Sequence, residues 1–130
     1  MTTIKNDQKI LLVDDEPDLT TVFSMGLEDS GFKVDAFNDP LLALSEFKKG
    51  SYDLILLDDK MPNMNGFELY TKIRKIDDKV KICIISAFDI YQEELRKKFQ
   101  LAYDEEDILF IQKPIEIDEL VRQIKGELGL

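Results

Sequence analysis

Five short apolar runs alternate along this chain with five stretches of helical periodicity. The runs cover residues 9–13, 32–36, 54–57, 80–85 and 108–111. The third, Leu54-Ile55-Leu56-Leu57, is aliphatic at every position, the pattern of a strand buried on both faces. In the second, Phe32, Val34 and Ala36 alternate with Lys33 and Asp35, which predicts a half-exposed edge strand with those three residues inward. Leu19, Val22, Phe23, Gly26 and Leu27 fall at i, i+3, i+4, i+7 and i+8 and predict one buried helix face. Pro17 opens that helix and Gly31 closes it. Asp39-Pro40 starts a second helix over Ala43, Leu44 and Phe47, and Gly50 stops it. A third begins at Asn65-Gly66 and buries Phe67, Leu69, Tyr70 and Ile73. A fourth runs from about Asp89 with Tyr91, Leu95, Phe99 and Ala102 on one face, and an acidic connector follows at 103–107. The last helix buries Ile117, Leu120, Val121, Ile124 and Leu128.

Strands alternating with helices of this length imply right-handed parallel βαβ units. The expected fold is therefore a doubly wound α/β three-layer sandwich. Residues 1–8 are polar and expected to be a flexible N-terminus, leaving 9–130 as a single domain.

Charge narrows the function. Seventeen basic against 27 acidic residues give a net charge of −10, a poor match to nucleic acid, whose affinity rests on phosphate contacts. No apolar run is long enough to cross a bilayer and the N-terminus has no apolar core, so neither membrane insertion nor secretion is expected, and the expected location is cytoplasmic. Histidine is absent, which removes histidine catalysis and ligation. The single cysteine, Cys83, lies within an apolar run and reads as a buried thiol.

The chemistry collects where the strands end. The first run ends in Asp14-Asp15, the third in Asp58, the fourth in Ser86 and the fifth in Lys113. A parallel sheet brings all these ends to one edge, where open α/β sheets bind ligands. Carboxylates crowded there repel one another, and Mg²⁺ with its preference for oxygen ligands resolves the conflict. A lysine and a hydroxyl beside them suit the oxygens of a transferring phosphoryl group. Asp58 is then a nucleophile, a metal ligand or both. Each residue also has a plainer role: Asp14, Asp15 and Glu16 as dipole partners of the following helix, Asp58 as a turn residue, Ser86 as a loop cap, Lys113 as a solvated cation.

Val13-Asp14-Asp15-Glu16, Leu57-Asp58-Asp59-Lys60-Met61-Pro62 with Gly66, Ser86-Ala87 and Lys113-Pro114 together resemble the receiver domain of two-component response regulators, in particular the chemotaxis-regulator-like stand-alone receivers. The resemblance covers the chain from Lys9 onward. It implies a flavodoxin-like fold with a five-stranded parallel sheet in the order 2-1-3-4-5. It implies that Asp58 is the phosphoacceptor and that Asp14, Asp15, Asp58 and the backbone carbonyl of Lys60 hold Mg²⁺. Ser86 and Lys113 would contact the phosphoryl group, Ser86 and Phe110 would act as the switch pair, and the Lys113-Pro114 bond would be cis. It further implies a histidine kinase or histidine phosphotransfer protein as donor. The output would be a downstream protein or a homodimer, bound through the surface of the fourth helix, fifth strand and last helix. The resemblance makes this a signalling module that catalyses its own phosphorylation and dephosphorylation, not a metabolic enzyme.

Three features depart from the family pattern. The 27 positions from Ser86 to Lys113 exceed the usual span, and the extra residues fall around 103–107. Lys60, two residues after Asp58, is expected to pair with the phosphoryl group, block attacking water or point to solvent, and Phe88, two after Ser86, to shield the site. The chain ends at Leu130 without an output domain, as a stand-alone or excised receiver would. An aspartyl-phosphate phosphatase of another α/β family is the alternative, but such enzymes show a second Asp where Lys60 stands. A flavin-type binder would want a phosphate-cradling loop where Asp14-Asp15-Glu16 stands.

Overall fold

The computed structural model describes residues 7–86, 97 and 108–130. Five strands form one sheet: β1 (Lys9–Val13), β2 (Lys33–Phe37), β3 (Leu54–Asp58), β4 (Lys81–Ser86) and β5 (Ile108–Gln112). All neighbouring pairs are parallel, in the order β2-β1-β3-β4-β5. Four helices are described: α1 (Pro17–Asp29), α2 (Pro40–Glu46), α3 (Gly66–Ile76) and α4 (Ile117–Glu127), the last being the chain's final helix. This is the architecture the alternation predicts. The predicted helix from Asp89, the 103–107 connector, Ala87 and Phe88 lie outside the described residues.

Two apolar layers sandwich the sheet. α1 and α4 cover one face through Phe23, Leu27, Leu120 and Ile124, packed on Ile10, Leu12, Leu54, Leu56, Cys83 and Ile85. α2 and α3 cover the other through Ala43, Leu69, Tyr70 and Ile73, packed on Leu11, Val13, Ile55, Leu57, Ile82 and Ile84. β3 is buried along its whole length because it has a strand on each side and a layer on each face. Burial also pushes the Cys83 thiol up, so it stays protonated.

The helix ends follow local chemistry. The Asp39 side chain accepts the Leu41 N–H at 3.0 Å ahead of Pro40. Asn65 and Glu68 form a reciprocal capping box at α3. Gly31 takes φ 97° after α1, which a β-carbon would oppose. Gly26 lets Ile117 lie directly against α1, since a β-carbon there would collide with the Ile117 side chain.

Two sequence expectations are corrected. Val22 is 52% exposed, and Thr20 takes the buried place beside Phe23 and Leu27. Thr20 tolerates burial because its hydroxyl donates to Pro17 O (2.9 Å) and accepts from Asn38 Nδ2 (3.0 Å). On β2, Ala36 is exposed, while Phe37 packs partly buried on the opposite face.

Hydrogen bonds also tie together the rim at the N-terminal ends of the strands. Asp77 accepts N–H bonds from Gly50 (3.0 Å), Lys79 (2.9 Å) and Val80 (3.1 Å). Burial pushes its carboxyl up, but these three donors outweigh burial and hold it below the ordinary range. Asp53 accepts the Lys9 N–H at 2.8 Å, and Tyr52 donates to Asp35 at 2.7 Å.

Candidate functional site at the C-terminal edge of the sheet

Pleating sorts the strand ends between the two layers. On β3, Leu54 and Leu56 enter the α1/α4 layer and Ile55 and Leu57 the other, so Asp58 falls on the α1/α4 side and Asp59 on the α2/α3 side. On β4 the same count puts Ser86 with Ile82 and Ile84 on the α2/α3 side. On β5, Ile111 enters the α1/α4 layer and Phe110 the other. The ladder continues past the strand ends: Asp14 N–H donates to Phe37 O (3.1 Å), Asp59 N–H to Ile85 O (3.0 Å) and Lys113 N–H to Ser86 O (2.6 Å). The predicted residues are thus brought to one edge, but on two sides of it.

Asp14, Asp15 and Asp58 form the first group. One carboxylate oxygen from each lies within 4.8 Å of the others. Lys113 Nζ stands between two of them, 3.0 Å from Asp14 Oδ2 and 2.8 Å from Asp58 Oδ1. The Lys113-Pro114 peptide is cis. The donor set is oxygen only, which suits a hard divalent ion, and the Lys113 ammonium already takes a cation's place among these carboxylates. Lys60 follows on the same loop with an exposed side chain.

Burial dominates the electrostatics of Asp58, which is only 6% exposed. It raises the carboxyl to about 6; the Lys113 hydrogen bond pulls it down, and the charges of Asp14 and Asp59 push it up again. Lys113 is itself held above its ordinary range: burial lowers it, but the bonds to Asp58 and Asp14 win.

A stability prediction follows from these directions. Between the ordinary value of 3.8 and about 6, folded Asp58 keeps a proton that the unfolded chain has lost. Its stabilising contribution is complete below the lower value and lost as pH rises through the upper one. Asp58→Asn removes that dependence. In metal-free urea titrations the variant is expected to exceed the parent by about 1–2 kcal/mol at pH 8, after allowance for screening, and to match it near pH 4. Asp77 works in the opposite sense: its lowered carboxyl contributes above the ordinary aspartate range and is lost as pH falls through and below it.

Two further residues bear on the site, and neither emerged from the strand-end pattern as a site residue. Asn38 Nδ2 donates to Asp14 O at 2.8 Å and so fixes the acidic loop from the end of β2. Asp59, 9% exposed, accepts the Ser86 hydroxyl on Oδ2 at 2.9 Å. The strand count carried one residue beyond Asp58 would have placed Asp59 beside Ser86. For Asn38 the only signal was its position after β2, next to β1 in the sheet.

Comparison with known proteins bears on this edge. The family model for the response regulator receiver domain matches residues 10–125. Response regulator ArlR of Staphylococcus saprophyticus is 36% identical over 92% of this chain and 52% of its own length. A CpxR homolog of Haemophilus influenzae is 38% identical over 92% of this chain and 50% of its own. The chain thus spans about half of these relatives. Response regulator TrrA of Thermotoga maritima, solved in complex with Mg²⁺ and BeF, is 31% identical, with a TM-score of 0.76 over 92% of this chain and 98% of that one.

Proposed function

This chain belongs to the response regulator receiver family, and from that premise we propose that Asp58 is its phosphoacceptor. It is a receiver domain with a cluster of aspartates at the C-terminal edge of its sheet, and a signalling module. The observation that carries the assignment to Asp58 is the bond from Lys113 to a buried carboxylate in that cluster. Asp14 shares that bond at 3.0 Å, but its second oxygen, Oδ1, already accepts the Glu16 N–H at 3.0 Å; Asp15 is less buried and Asp59 bonds Ser86.

Receiver domains generally bind Mg²⁺ at such a cluster. Asp14, Asp15, Asp58 and the Lys60 carbonyl would hold it here, and the ion would neutralise charge on the carboxylates and on phosphoryl oxygens. The chain's own residues do the rest. An Asp58 oxygen attacks the phosphorus of a phosphohistidine or acyl phosphate, the donor's P–N or P–O bond breaks, and the leaving group takes the electron pair. Lys113 stays within reach of the new phosphoryl oxygens, and Asn38 keeps Asp14 in place. Hydrolysis returns the Asp58 carboxylate and inorganic phosphate.

Response regulator receivers interact with histidine kinases or phosphotransfer proteins. The same reading gives this one such a donor, and residues 9–130 as one receiver in the cytoplasm. No described helix is long and apolar enough to cross a membrane. Ser86 and Phe110 share the α2/α3 side of the sheet, so movement of the Ser86 hydroxyl toward a phosphoryl group frees space that Phe110 can fill. The altered surface around β5 and α4 is then offered to a downstream protein or a second copy.

Incubation with acetyl phosphate and Mg²⁺ is expected to add one hydroxylamine-labile phosphoryl group, read by intact mass. Equal early labelling of Asp58→Asn would sink the assignment.

A further inference from the structure

The Ser86 hydroxyl is engaged on the side away from Asp58. It is fully buried and donates to Asp59 Oδ2. Asp59 is anchored at both ends of its peptide unit: its N–H bonds Ile85 O and its carbonyl accepts the Gly66 N–H, each at 3.0 Å. The backbone that carries the acceptor is therefore held in place, and the Ser86 hydroxyl reaches a second acceptor by rotating about its own χ1. A serine hydroxyl has one hydrogen to donate, so it cannot serve Asp59 and a phosphoryl oxygen together.

We propose that Asp59 is a positioning residue that holds Ser86 in the resting arrangement, so that a phosphoryl group on Asp58 signals only by winning the Ser86 hydroxyl from it. This rests on Asp58 being the acceptor. Asp59 also bears on Asp58 through its charge, and the two effects separate by background. A charge effect persists without the Ser86 hydroxyl; a latch does not. The bond to an ionised acceptor is the stronger kind, so its release favours the engaged state by about tenfold. Asp59→Asn keeps an oxygen acceptor without the charge and falls between Asp59→Ala and the parent.

Two measurements test it. NMR couplings at Ser86, without metal or mimic, are expected to show one side-chain rotamer in the parent, averaging in Asp59→Ala and partial recovery in Asp59→Asn. Titration with beryllofluoride and Mg²⁺ is expected to show about tenfold tighter binding for Asp59→Ala, with most of the gain lost in the Ser86→Ala background. An unchanged rotamer in Asp59→Ala, or an equal gain in both backgrounds, overturns the latch. If Asp59→Ala does not fold, Asp59→Asn carries the same comparisons. A parent that fails to bind beryllofluoride refutes the acceptor reading instead, and the rotamer measurement then decides the latch alone.

Discussion

Lys113→Met is expected to cost the metal-free protein about 3 kcal/mol at pH 8 and far less at pH 5. The ammonium is shared by two buried carboxylates, and an apolar side chain of similar length leaves both charges without a partner. Removing one member of a buried ion pair is costly for that reason, not because the pair itself is strongly stabilising. Asp58 already titrates near 6, so acidification lets it shed its charge and recover much of the loss. Mg²⁺ offers a second route, by binding the folded carboxylates and not the unfolded chain. Urea titrations at both pH values, with and without millimolar Mg²⁺, check this. A deficit indifferent to both pH and metal would mean that packing of the lysine stem, not its charge, is what matters.

Gly66→Ala is expected to cost about 3 kcal/mol and to lower phosphoryl labelling of Asp58. A β-carbon at this position would sit 2.5 Å from the Asp58 carbonyl oxygen and 3.1 Å from Asp59 Cα. Both obstacles are backbone of the strand end that carries the site, so no side-chain rotation relieves them. Either α3 retreats or the Asp58 peptide moves. Gly126 in α4 is the internal control, because a β-carbon there meets nothing within 4 Å. Gly126→Ala is expected to gain about 0.5–1 kcal/mol, from helix propensity and a less free unfolded chain. Thermal melts with parallel intact-mass labelling separate the two; a Gly66→Ala variant as stable and as readily labelled as the parent would show that α3 is not packed against Asp58.

The sheet was legible because its strands are aliphatic runs whose ends carry the chemistry, and hydrophobic spacing reads such strands well. It failed at Val22 and Thr20, where a buried hydroxyl satisfied by Asn38 and Pro17 displaced an apolar neighbour. Hydropathy counts side chains and does not see hydrogen-bond partners brought in from elsewhere in the chain. The alternation also failed at Ala36: on this edge strand Ala36 is exposed while the next residue, Phe37, packs partly buried on the other face. The acidic trio and Lys113 were legible as strand-end residues. Asp59 was visible only as part of a motif, since its role depends on which side of the pleat it occupies.

The opposite rim bears on timing. The bonds accepted by Asp77, Asp53 and Asp35 involve none of the proposed site residues. A rearrangement among Asp58, Ser86 and Lys113 therefore leaves them intact, and the strands stay clamped at one end while the other adjusts. The Gly50 and Val80 amide protons, bonded to Asp77, are expected to exchange at the same rate before and after such a rearrangement. Switching confined to the other edge would then proceed without the delay that unfolding imposes.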